Sequence, residues 1–384
     1  MENSIMKKLA LKQMMGTVTN VYRLWICIFL AVSTITVFAN SGLAQEGEPR
    51  YVLDEITSPS LEGNLLGDPA TRPMWVWLPP SYDTSPERRY PTIYLLHHFT
   101  GTYMSYKQHE FVDLDVGEVA SNLIAEGFMD EAILVLPDAS NIYGGSFYSS
   151  NEVIGDYRTY IAHDLVNYID GKYRTIADRE SRSVFGHSMG GYGALSLAID
   201  YPEIFGSVAA LGAANADFEV AGYIEGFISE NPEILGEPLV VQTPADYMAI
   251  VTTSFYTNAT YATGAAITPN PDNPPYYVDL PVQYPEKTIV PDIWDRWLES
   301  DLVSQIERNG NNLSNTDIYI DRAVGEVTIM PELPGIELLP AALDTHRLTY
   351  TYVAAEGDHI SHLRERTEEA LKFLSSAGSV TPDE

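Results

Sequence analysis

Gly186-His187-Ser188-Met189-Gly190-Gly191 decides how this 384-residue chain is read, because of what stands on either side of it. Upstream, Ser181-Arg182-Ser183-Val184-Phe185 runs into a glycine and predicts a buried strand. Downstream, Tyr192-Gly193-Ala194-Leu195-Ser196-Leu197-Ala198-Ile199 is small and apolar at helical spacing. A serine at such a strand-to-helix turn is forced into a strained backbone geometry, and glycines two residues before and after it remove Cβ atoms that would clash. Ser188 Oγ is therefore expected to stand exposed at the end of a sheet. The N–H of Met189, first in the new helix, is expected to point at the oxyanion that forms when Ser188 attacks a carbonyl.

Working outward, Arg72–Leu78 alternates as a strand, and Pro91–Leu96 is an apolar run too short for a helix, as in a strand buried on both faces. Val116–Glu126 has a helical pattern, Ala132–Leu136 is a strand, Asp156–Tyr173 is an amphipathic helix and Ser207–Leu211 is another strand. Strand and helix in alternation imply an α/β fold: a mostly parallel sheet with helices on both faces and a site at the strand C-termini. From about 213 to 316 the rhythm breaks. Helical pieces are expected at Val220–Ile228 and Ile293–Glu307, but Thr268–Tyr277 holds four prolines and can be neither helix nor central strand. This irregular insertion reads as a cap that supplies substrate contacts, Tyr276 and Tyr277 among them; the alternative is a surface loop with a packing role. The sheet resumes at Asp317–Asp321, followed by a helix over 335–343, a strand over 348–354 and a last helix over 361–375. Residues 45–384 thus read as one domain.

Residues 1–44 read as a bacterial secretory signal: Lys7, Lys8, Lys12 and Arg23 precede the apolar Leu24–Ala39, with cleavage expected after Ala39 or Ala44. The mature protein is then secreted or periplasmic, with no stable membrane insertion. The net charge of −31 argues against nucleic acid and anionic membranes as partners. The single cysteine, Cys27, lies inside the leader, which excludes disulfides, thiolate metal sites and cysteine catalysis from the mature chain. Composition says nothing of the oligomeric state.

Ser188 needs a base. His359, in Glu356-Gly357-Asp358-His359 between the last strand and the last helix, occupies the place that the chain order Ser, acid, His requires. His362 is one helical turn on and expected to be exposed. The acid that fixes the imidazole should follow the strand at 317–321; Glu326 is favoured, with Asp321 and Glu332 as the alternatives. A second oxyanion donor is expected from His97-His98-Phe99-Thr100-Gly101, at the N–H of Phe99. The pair His97-His98 has no H-x-H, H-E-x-x-H or carboxylate cluster beside it, so neither a metal nor another cofactor is expected.

Leu78-Pro79-Pro80-Ser81-Tyr82, Tyr94-Leu95-Leu96-His97, Gly186 to Leu195 and the Gly-x-His tail together resemble the family described as putative esterases, which includes esterase D (S-formylglutathione hydrolase), feruloyl esterases, enterochelin esterases and the mycobacterial mycolyltransferases. The likeness covers about 70–212 and 317–375. It implies an α/β-hydrolase fold with the family's nucleophile on Ser188, its histidine on His359, its acid on Glu326 and its oxyanion amides on Phe99 and Met189. The implied activity is hydrolysis of feruloyl, carbohydrate-linked or small acyl esters. An acyltransferase with a sugar or alcohol acceptor is the first alternative, and a non-catalytic binding protein on the same scaffold the second. Two departures stand out: His98 replaces the usual glycine, which implies either a reshaped oxyanion loop or an imidazole beside the substrate, and Arg322-Ala323 replaces the usual Cys-Gly on the acid's strand.

Overall fold

The computed structural model describes residues 50–108, 112–218, 237–283, 288–325 and 335–377. The leader, the helical piece expected at 220–228, Glu326 and Glu332 lie outside the described residues. In chain order the strands are β1 (Arg50–Thr57), β2 (Thr71–Leu78), β3 (Thr92–Leu96), β4 (Ile133–Pro137), β5 (Ser150–Asn151), β6 (Gly155–Asp156), β7 (Arg182–His187), β8 (Ser207–Leu211), β9 (Val282–Gln283), β10 (Thr288–Ile289), β11 (Asp317–Ala323) and β12 (Tyr350–Ala355). Eight of them form one sheet in the order β1-β2-β4-β3-β7-β8-β11-β12. β1 and β2 pair antiparallel, as do β2 and β4; the other pairings are parallel.

The described helices used below are α1 (Val116–Glu126), α2 (Val166–Lys172), α3 (Met189–Asp200), α4 (Phe255–Ile267), α5 (Pro291–Ser300), α6 (Leu302–Asn309), α7 (Leu339–Thr345) and α8 (Leu363–Ala377). Because successive strand residues face opposite ways, β3 sends Tyr94 and Leu96 into one core and Ile93 and Leu95 into the other. The first core is closed by α3 through Ala194, Leu195 and Ala198, with Tyr160 and Leu165 beside them. The second is closed by Val119 and Leu123 of α1 and Leu371 and Leu374 of α8. Each leucine, isoleucine or valine among them contributes roughly 1.5–3 kcal/mol on burial, so the two cores hold the sheet in place as a platform. Register then aligns the strand ends: Leu96 pairs with Gly186, His187 with Leu211, and Leu211 with Asp321.

The insertion departs from the sequence reading in two respects: α4 is a helix where none was expected, and the second stretch read as helical is broken. The helix expected over 293–307 is two helices, α5 and α6, broken at Asp301. Its buried carboxylate accepts the Ser304 N–H at 2.8 Å and the Phe218 N–H at 3.2 Å, so it starts the second helix as an N-cap instead of continuing the first. The proline-rich stretch is a turn whose ends are tied by the Asn270 amide on the Asp279 carboxylate, at 2.8 and 2.9 Å.

Candidate active site

Ser188 links β7 to α3 with φ 58° and ψ −120°, a left-handed conformation that costs a side-chain-bearing residue of order 1–3 kcal/mol and persists only where its surroundings over-determine it. They do so here. The Ser188 N–H donates to Leu211 O at 2.9 Å, and Ser188 O accepts from Tyr192 N–H and Ala214 N–H, each at 3.0 Å. The flanking glycines are fixed by contact: a Cβ on Gly186 would lie 2.1 Å from Gly190 O, and one on Gly190 would lie 1.9 Å from Leu96 O. The start of α3 is thereby pressed against the end of β3.

That contact sets where the loop after β3 begins. The Tyr106 hydroxyl donates to Leu96 O at 3.1 Å and accepts the His187 N–H at 3.0 Å, joining the loop's root to the turn. His97 is buried and pins the loop to the end of β4: its Nδ1 donates to His98 O at 2.9 Å, and its Nε2 accepts the Ala139 N–H at 2.9 Å. Burial lowers the His97 pKa, which favours the neutral ring that this pattern needs. His98 donates from Nδ1 to Phe99 O at 2.7 Å, and its ring stands edge-on to His187 with centroids 6.3 Å apart. Phe99 is held between Phe147, stacked at 6.2 Å, and Phe255 of α4, edge-on at 5.5 Å.

Opposite lies the loop of residues 356–362. Asp358 shapes it by accepting the Ile360 N–H at 3.1 Å, the Ser361 N–H at 2.8 Å and the Ser361 hydroxyl at 2.7 Å; the hydroxyl bond foremost lowers its pKa. His359 is buried, and its ring lies 4.5 Å from that of His187. Its carbonyl accepts His187 Nε2–H at 2.9 Å and Arg366 Nη1–H at 3.1 Å. The structure thus brings His359 against the residue preceding Ser188.

A family profile described as "Putative esterase" matches residues 69–362. The chain belongs to this family. A curated esterase of Mycobacterium tuberculosis is 32% identical over 139 residues, 34% of this chain, and the match spans 27% of that relative's length. Of the solved structures, a ferulic acid esterase superposes with a TM-score of 0.58 at 20% identity, over 86% of this chain and 99% of the other. An S-formylglutathione hydrolase from Staphylococcus aureus gives 0.52 at 15%, over 85% and 99%. Likeness at these identities speaks for the α/β-hydrolase fold.

The remaining sequence-predicted residues of this esterase-family chain are placed as follows. Asp321, an alternative for the acid, is fully buried within β11, two residues before its end, and bridged by Arg366, with Nε to Oδ2 at 2.6 Å and Nη2 to Oδ1 at 2.7 Å. Glu326 follows directly on Gly325, whose N–H donates to Gly357 O at 2.7 Å. Tyr276 and Tyr277 are half-buried; Tyr276 O accepts the Tyr143 hydroxyl at 2.8 Å, and the Tyr276 ring lies edge-on to Tyr261 at 5.2 Å. His362 is exposed, with Glu365 nearby. A cavity of about 440 Å³ opens at the seam of body and insertion, lined by Arg158, Tyr192, Arg296 and Arg308 among others; neither Ser188 nor His359 lines it.

Sequence reasoning missed Arg366, the contact of His187 with His359, and Phe255. One signal was available for Arg366: it lies on the same stripe of α8 as Leu363, Ala370 and Leu374, and a charged residue on an apolar stripe needs a buried partner. Nothing local marked Phe255, whose partner is about 150 residues away in the chain.

Proposed function

We propose that this protein is a secreted serine esterase that hydrolyses carboxylic esters through an acyl-enzyme on Ser188. The observation that carries the reading is the strained turn at Ser188, at the C-terminal edge of the sheet, with the loop of His359 folded onto its neighbour. His359 takes the Ser188 proton as Oγ attacks the ester carbonyl. The N–H groups of Phe99 and Met189 receive the oxyanion, the latter from the first turn of α3, where amides have no intrahelical acceptor. The alcohol leaves with the proton from His359, and water, activated by the same imidazole, releases the acid. Glu326 is the proposed acid, since Gly325 is hydrogen-bonded to Gly357, two residues before His359, while the Asp321 carboxylate is committed to Arg366.

The aromatic rings packed around Phe99, namely Phe147 and Phe255, support an aryl acyl group such as feruloyl over a long alkyl chain; ferulic acid esterases among the structural relatives support the same choice. The test is a hydrolysis panel of p-nitrophenyl acetate, methyl ferulate, an acetylated sugar and a polyester, run with wild type and Ser188→Ala. Turnover falling by about 10⁴-fold or more in the variant, with methyl ferulate among the preferred esters, supports the reading; activity that survives the substitution overturns it. Export rests on the leader alone and is tested by the N-terminal sequence of the mature protein, expected to begin at Asn40 or Gln45.

A further inference from the structure

We infer that Arg366 and His187 are positioning residues for His359, and that Asp321 serves as their anchor. The inference rests on the reading of His359 as the base and adds what holds it. His359 sits in an irregular loop in which the bonds of Asp358 tie residues 358–361 to one another, and whose root is joined to the segment after β11 by the Gly325 N–H on Gly357 O at 2.7 Å. Fixing His359 itself relative to Ser188 requires a grip closer to the residue, and its carbonyl receives one from the guanidinium from α8 and the imidazole from β7.

Three features argue for positioning over general stabilisation. Arg366 and Asp321 are buried to 4% and 0% side-chain exposure, and burying two ions costs several kcal/mol each, so an apolar pair of similar volume would serve the core as well or better. The fork is divided in function: Nε and Nη2 hold Asp321, which leaves Nη1 directed at the carbonyls of His359, at 3.1 Å, and Asp358, at 3.5 Å. Finally, Asp321 Oδ1 also accepts the Gly212 N–H at 3.0 Å, and the preceding residue, Leu211, accepts the Ser188 N–H. One continuous set of bonds therefore references both reacting side chains to the ends of β7, β8 and β11.

The experiment removes the grip while sparing the fold. Arg366→Ala would leave Asp321 buried and unpaired, so the informative variant is the double Asp321→Leu/Arg366→Met, which discharges both ions at similar volume. Its cooperative urea unfolding is expected to match wild type. Its kcat for p-nitrophenyl acetate is expected to fall about 10- to 100-fold, the scale of an ångström-sized misplacement, with KM changed less than about threefold. Arg366→Lys, which keeps the charge but not the planar fork, should recover part of the loss, and His187→Leu should show a smaller one. A double variant that turns over at the wild-type kcat, or whose kcat falls only in proportion to its folded fraction, overturns the inference. Turnover that survives Ser188→Ala overturns the esterase reading and this one with it; turnover that needs Ser188 but ignores the double substitution overturns the positioning role alone.

Discussion

The two sides of the candidate site are built by different means. Around Ser188 the backbone is held by backbone: amides of Ser188, Tyr192 and Ala214, carbonyls of Leu211 and Ser188, and two glycines in van der Waals contact with their neighbours. Around His359 the chain has no regular structure: side chains from β7 and α8 hold one carbonyl, the α8 one anchored on Asp321 of β11, and the loop's own Asp358 holds one turn. Errors on the first side therefore propagate into the sheet, whereas errors on the second should stay local and show in turnover before they show in stability.

Gly190→Ala tests the first half of that contrast and carries the largest effect. Its Cβ would meet Leu96 O at 1.9 Å, so α3 and β3 must separate. A loss of about 3 kcal/mol or more in urea unfolding is expected, the upper range for overpacking, and unchanged stability would break the comparison.

His97→Phe comes next. It leaves the Ala139 N–H and His98 O buried without their imidazole partner, at about 1–3 kcal/mol for each group. The same residue gives a pH dependence. Burial lowers the folded-state pKa of His97 below its ordinary 6.5, so as pH falls through that value the unfolded chain binds a proton that the folded one does not. Stability is present in full above about pH 6.5 and declines below it; chemical denaturation at several pH values should show this slope reduced in His97→Phe.

Asp358→Ala probes the other side. Losing the turn's acceptor should lower kcat about tenfold while costing only about 0.5–1.5 kcal/mol in urea unfolding, well below the loss expected for Gly190→Ala. His362→Ala, at an exposed imidazole, should alter kcat less than twofold, which assigns the base role between the two histidines of this loop.

This contrast also explains how much could be read from the chain. The sheet strands, the turn at Ser188, the loop of Phe99 and the place of His359 were legible because each is written in contiguous residues: a glycine at a strand end, an apolar run, a histidine between the last strand and helix. The break at Asp301 was not, because an aspartate inside an amphipathic stretch reads as a solvated face until Phe218 is seen to donate to it. The clamp on His359 was hidden for the same reason. Asp321, His187 and Arg366 are 45 to 179 positions apart in the chain, and only the register that sets Leu211 beside both His187 and Asp321 makes them neighbours.

The edge-on contact between Phe255 and Phe99 has a practical consequence for recombination between relatives. A chimaera that transplants a foreign insertion onto this body would strip one face from the aromatic ring whose own amide is proposed to meet the oxyanion. Such a graft should therefore import a residue to replace Phe255, or be made with the segment from His97 to Gly101 exchanged alongside it.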